Sequence, residues 1–195
     1  MLDFNKTARL IRGALFEPQS TWQAYSSEAN GWTQTARELT LPLIVGTLFL
    51  TLILSTVFND PVFLQLGLGG WLFAAVFAFA GFMIVAFILA LLAGVFNGNN
   101  DFDKAFAALS LTAVPSYAGI VLGTLPWIGM LISLGLMIYA LVLLYRIIPD
   151  YLAVPQGARV KHFILSLAAA FVVSLLLASI LGISMIAAFA ESTPG

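Results

Sequence analysis

The polar residues of this chain are bunched, and the stretches between the bunches are apolar over lengths that match a lipid bilayer. A helix rises about 1.5 Å per residue and the hydrocarbon layer is about 30 Å thick, so roughly 20 apolar residues make one crossing. Residues 39–58 carry no charge and end at Asn59-Asp60-Pro61, a turn signal that also rejects hydrocarbon. This predicts the first span. Residues 61–100 are likewise uncharged. Gly67, Gly69 and Gly70 cluster at their start and Asn97-Gly98-Asn99-Asn100 closes them, while 71–96 holds no proline or polar break, so one long span is predicted there. Residues 105–145 have Gly123-Thr124-Leu125-Pro126-Trp127 at their middle, which predicts a hairpin of two spans. Residues 163–189 supply the fifth.

The fold class expected is therefore all-α: a polytopic membrane bundle of five transmembrane helices. It divides into a segment 1–38, a transmembrane domain 39–190 and a polar tail 191–195. Charge gives an independent check, because Lys and Arg in short loops stay on the cytoplasmic side. Lys6, Arg9, Arg12 and Arg37 precede span one, Lys104 lies between spans two and three, and Arg146, Arg159 and Lys161 lie between spans four and five. With the N-terminus cytoplasmic and the C-terminus extracytoplasmic, all 8 basic residues fall inside. A cleavable signal peptide is not expected, since the first apolar run begins late and is too long for one.

Before span one, Phe4, Ala8, Ile11 and Leu15 recur at helical spacing, with Asp3 as a cap and Pro18 as a stop. The pattern admits two placements. In one, an amphipathic helix lies in the headgroup layer with Lys6, Arg9 and Arg12 meeting anionic lipid; in the other, a short helix packs on the cytoplasmic end of the bundle. Trp22, Tyr25 and Trp32 are read as interfacial aromatics. In the second loop the oxygen side chains from Asn97 to Asp103 suggest a calcium loop, but Leu109 stands where its closing glutamate belongs. A helix stop followed by an Asp101 N-cap accounts for the same residues.

Composition sharpens the picture by what it excludes. The chain is 61% hydrophobic and 9% charged with net charge −1, its mean hydropathy is +1.03, and it has no cysteine. Soluble proteins are about 25% charged, so a nucleic-acid partner is excluded, and thiol chemistry is absent. The assigned spans contain no Asp, Glu, Lys, Arg or His, which disfavours a proton relay or charge-coupled transport. His162, beside Lys161, is read as an interfacial residue without metal partners, and no GxSxG occurs. No cofactor, metal or catalytic residue is expected, and the protein is read as a non-enzyme.

What remains polar within the spans concerns packing. Gly119 and Gly123 form a GxxxG pair, Ala90 and Gly94 a small pair, and Ala170, Ser174, Ala178 and Gly182 a four-residue row. These are read as contacts within the bundle rather than a dimer seam, and a homo-oligomer is not supported. Pro115 removes a backbone hydrogen bond at membrane depth, so a kink is expected, with Ser116 or Tyr117 restoring the bond. Pro115, Tyr117 and Tyr139 are the candidates for a helix kink or cavity, the kink either shaping the bundle, which is the leading reading, or opening a small cavity. The echo of Thr40-Leu41-Pro42 in Thr124-Leu125-Pro126 is too short to carry an inverted repeat.

Several landmarks stand in a recognisable order: Leu15-Phe16-Glu17-Pro18 followed by Trp22, then 102–105, Pro115-Ser116-Tyr117, Leu125-Pro126-Trp127-Ile128-Gly129, and Tyr139 with Ile148-Pro149. Over 10–181 the chain resembles the Yip1-domain family in its compact bacterial form, departing from it at Arg146, where a small residue is expected. The resemblance implies a five-helix integral protein of the bacterial inner membrane with its N-terminus in the cytoplasm. Eukaryotic relatives are associated with Rab-type GTPases and vesicle traffic, a role that does not transfer, because the 38 residues ahead of span one are far shorter than their cytosolic extension. The function expected is organisation of membrane lipid, or recruitment of a protein partner, at the cytoplasmic face. Lys6, Arg9, Arg12, Arg159 and Lys161 are the lipid-interface candidates. The alternative is a channel or transporter for a neutral or lipidic solute.

Overall fold

The computed structural model describes residues 3–28, 30–58 and 67–192, with backbone alone for 67–68 and 181–192. The expected turn at Asn59-Asp60-Pro61, the surroundings of Gly182 and the last three residues of the tail lie outside the described residues. Two short helices, α1 (Phe4–Phe16) and α2 (Pro18–Ser27), precede five long ones: α3 (Trp32–Val57), α4 (Gly67–Val95), α5 (Phe102–Gly123), α6 (Gly129–Leu152) and α7 (Gln156–Ser192). Each long helix contains a stretch long and apolar enough to cross a bilayer. The chain is a multi-pass membrane protein. Residues 61–100 hold one long helix, as their turn chemistry predicts, and the hairpin break falls between Gly123 and Gly129. Three boundaries lie about two turns outside expectation: α3 begins at Trp32 rather than 39, α6 ends at Leu152 rather than 145, and α7 begins at Gln156 rather than 163. In each, turns that carry charged residues continue the helix of the uncharged run.

Helix ends follow local chemistry. The Asp3 carboxylate accepts from the amides of Asn5 at 3.0 Å and Lys6 at 3.1 Å, and Asp101 from that of Lys104 at 3.1 Å, satisfying donors that a first turn leaves free. Pro18 takes the first position of α2, where it needs no N–H. α4 stops where Asn97 turns left-handed, φ 60°, and Asn99 N–H then donates to the Leu152 carbonyl at 2.6 Å. A Cβ at Gly98 would stand 2.6 Å from that same carbonyl, so only glycine lets the α4–α5 loop close on the end of α6.

α5 is the axis. It touches α1, α2, α3, α4 and α6, and 56% of its apolar stretch is buried, against 6% for α7. Leu111 and Val114 of α5 meet Leu89 and Ala93 of α4, and Leu143 and Ile147 of α6, in one apolar cluster. A second cluster centres on Phe106, with edge-to-face contacts to Trp32 at 6.1 Å and Phe82 at 5.3 Å. Outward faces remain apolar, with Phe49, Val76, Phe87, Phe171 and Leu175 exposed. An apolar surface of this extent is suited to hydrocarbon, not water.

Further features differ from the sequence reading, and among them Trp22 and Tyr25, read as interfacial aromatics, are buried in the core. α1 buries Thr7, Leu10 and Ala14 against the bundle, while Phe4 and Ala8, half of the expected stripe, are exposed. The docking face is rotated by about one residue, because the threonine fits a polar acceptor that an apolar pattern does not show. His162 is fully buried rather than interfacial: its Nε2 lies 3.1 Å from the Leu89 carbonyl and its ring meets Phe96 edge-on, because α7 starts early enough to carry it against α4. At Pro115, which is buried, α5 runs on as a helix, and among the described residues neither Ser116 nor Tyr117 supplies a replacement hydrogen bond.

Candidate functional site

The start of α3, the end of α4, the start of α5, the end of α6 and the start of α7 share one end of the bundle, and α1 and α2 pack there. All of Lys6, Arg9, Arg12, Arg37, Lys104, Arg146, Arg159 and Lys161 belong to segments at this polar end. α3 is distorted there into a π-helical turn, Ala36–Thr40, whose Glu38 carbonyl accepts from the Thr7 hydroxyl at 2.7 Å. The Glu38 carboxylate lies 2.9 Å from the Lys6 ammonium, which also reaches Glu28 at 2.7 Å. One lysine on α1 therefore ties the end of α2 to the widened turn of α3.

The electrostatics follow from that knot. Partial burial disfavours the Lys6 ammonium, but hydrogen bonds and charge from Glu28 and Glu38 more than offset it and hold its pKa above the ordinary lysine value. Hydrogen bonds from Lys6 and then Asn30 hold the Glu28 carboxyl below its ordinary value. Burial pushes the Tyr25 phenol up, and its hydroxyl donates to the buried Thr35 hydroxyl at 3.0 Å.

Two further tyrosines pin the α1–α2 hairpin to α6. Tyr139 donates to the Leu15 carbonyl at 3.0 Å, one of the acceptors that the last turn of α1 leaves free, and Tyr151 donates to the Trp22 carbonyl at 2.9 Å. Leu10, Ala14 and Leu15 pack in the same cluster as Val114, Tyr117 and Tyr139. Pro115 itself is buried, and this face of α1 belongs to the same cluster as the other two cavity candidates.

An open cavity of about 370 Å³ lies between α2, α5 and α6, lined among others by Asp101, Asp103, Lys104 and Asp150. Two of its three carboxylates have structural work: Asp101 caps α5, and Asp103 accepts the Trp32 amide at 2.8 Å and so joins α3 to α5. Among the described residues no group of three or more His, Asp or Glu side chains is arranged to hold a metal ion.

The expected site residues are not brought to one place. Lys6 is consumed in the ion-pair knot; Arg9 and Arg12 are exposed on α1; Lys161 is exposed on α7; Arg159 is half-buried, with its guanidinium 5.6 Å from the Tyr145 ring centre. Gly119 and Gly123 lie against Ser133 and Leu136 of α6, where a Cβ would meet neighbours at 3.3–3.4 Å, so this pair packs within the bundle. Ser174 and Ala178 face outward on α7 instead. Sequence reasoning did not single out the buried row Thr47, Thr51 and Ser55 on α3, in which the last two hydroxyls have no partner; their four-residue spacing was the available signal.

Comparison with known proteins gives one match. The family model described as the Yip1 domain matches residues 12–189, most of the chain. No curated protein and no solved structure matches it.

Proposed function

The chain belongs to the Yip1-domain family, and from that membership and the build of its polar end we propose that it is a non-enzymatic integral membrane protein that organises anionic lipid or recruits a partner at the cytoplasmic face. In this reading the membrane is the bacterial inner membrane and the basic end lies in the cytoplasm, as the retention of Lys and Arg requires. The observation that carries the proposal is the free face of α1. Its opposite face is docked through Thr7, Leu10 and Ala14, while Arg9 and Arg12 stay exposed, as do Phe4 and Phe16, which are 73% and 77% accessible, and Arg12 stands one turn before Phe16. Cations next to apolar rings, on a helix held at the polar end of a membrane bundle, form a surface suited to a headgroup layer.

The test uses the full chain reconstituted in vesicles of phosphatidylglycerol and phosphatidylcholine, with spin-labelled lipids reporting the fraction held at the protein surface. The wild type is expected to hold phosphatidylglycerol in preference to phosphatidylcholine, and Arg9→Gln with Arg12→Gln to reduce that preference, as added salt should. An unchanged preference in the double variant would remove lipid organisation by α1 from the proposal, leaving partner recruitment.

A further inference from the structure

A second cavity, of about 310 Å³, lies where the α1–α2 turn meets the end of α6 and the start of α7. Gln19 and Trp22 come from α2, Arg146 and Asp150 from α6, and Arg159 from α7. Two arginines thus line one small space, and among the described residues no carboxylate oxygen lies within 4 Å of either guanidinium, the ion pairs of the polar end being those of Lys6 and Lys104. The Arg159 guanidinium lies over the Tyr145 ring, which restricts its orientation before any ligand arrives. Like charges placed together call for a counter-charge.

The surplus in this lining is the positive charge of two arginines, and the complement of a planar guanidinium is an anion with several acceptor oxygens. Asp150 offsets one of the two arginine charges, which suits a singly charged phosphodiester better than a dianion. Depth points to the source. Arg146 lies about 9 Å before the end of α6, and Arg159 stands in the first turn of α7, so the cavity sits at headgroup level on the polar side. One turn deeper on the same helix faces, Val142 is exposed and Phe163 half-buried, giving an acyl chain a surface to lie on. We propose that this cavity binds the phosphodiester headgroup of one anionic phospholipid, held between Arg146 and Arg159. The site is discrete and does not depend on the α1 surface proposed above.

Native mass spectrometry of the detergent-solubilised full chain tests this with phosphatidylglycerol, phosphatidylcholine and inorganic phosphate as probes. The wild type should retain one phosphatidylglycerol in preference to phosphatidylcholine. Arg146→Gln with Arg159→Gln should weaken that binding about tenfold or more, while Arg9→Gln with Arg12→Gln should leave it intact, separating this site from the α1 surface. Arg146→Lys and Arg159→Lys, which keep charge but lose the planar fork, should each cause a smaller loss and serve as readout if the glutamine pair does not fold. Undiminished phosphatidylglycerol binding in the folded glutamine pair, or in both lysine variants, would overturn the proposal. Inorganic phosphate that binds alone, displaces the lipid and depends on the same two arginines would overturn the lipid assignment in favour of free phosphate.

Discussion

At the level of single residues, the polar end is organised by side chains whose partners lie far away in sequence. Lys6 joins Glu28 and Glu38, and Thr7 completes a carbonyl in the π turn of α3. Partly exposed ion pairs contribute little, about 0–1 kcal/mol each, so the knot positions α1 rather than anchoring it. Its pH dependence has a definite sign. Because the Lys6 pKa is raised on folding, its contribution is complete below the unfolded lysine value, 10.5, and is lost as pH rises through the folded one. Because the Glu28 pKa is lowered, its contribution is complete above the unfolded value, 4.5, and is lost as pH falls through the folded one. Docking of α1 is therefore expected to hold steady between those limits and to loosen in acid and in strong alkali. The chain has no cysteine, so Ala8→Cys and Thr33→Cys can carry a spin-label pair whose distance reports this. In a Lys6→Met background the two pH-dependent changes should shrink together; unchanged transitions would mean that other groups control the docking.

Among elements, α5 is the helix on which α1, α2, α3, α4 and α6 are assembled, α7 packing on α4 and α6, and the contact of α5 with α6 is the closest. Gly119 and Gly123 permit that approach, with the Ser133 backbone 3.3 Å from where a Gly119 Cβ would sit. Gly119→Val is expected to force the pair apart and cost about 1–3 kcal/mol, the usual penalty of overpacking. Ser174→Val, on the outward row of α7, should leave thermal unfolding in detergent nearly unchanged. Equal losses in the two would show that the α7 row also packs, as a seam between copies would. The same reasoning explains why small-residue spacing was readable in the sequence but its use was not: both rows have the same period, and only neighbouring helices distinguish a packed row from an outward one.

For the whole molecule, five candidate spans, if each crosses, put the two ends of the chain in different compartments. Reporters fused ahead of α1 and after α7 are expected to be active on opposite sides of the membrane, with the former in the cytoplasm. Two reporters active in one compartment would refute the count. Leu10, Ala14 and Leu15 of α1 share one apolar cluster with Val114, Tyr117 and Tyr139, and the two cavities described lie at the polar end of the bundle.

The number of spans, the hairpin break, the Asp101 cap and the clustering of basic residues were legible in the amino-acid sequence, because each is set locally, by apolar length against bilayer thickness, by turn chemistry or by charge near a span. Family membership was legible too, through landmarks ordered along nearly the whole chain. Tertiary structure alone decided which face of α1 docks, that His162 is buried against Leu89, and that Trp22, Arg146 and Arg159 line one cavity. These residues come from helices separated by more than a hundred positions at the widest, and no periodicity links them. Their meeting depends on how the helices pack around α5, which side-chain volume and close approach determine across the entire bundle.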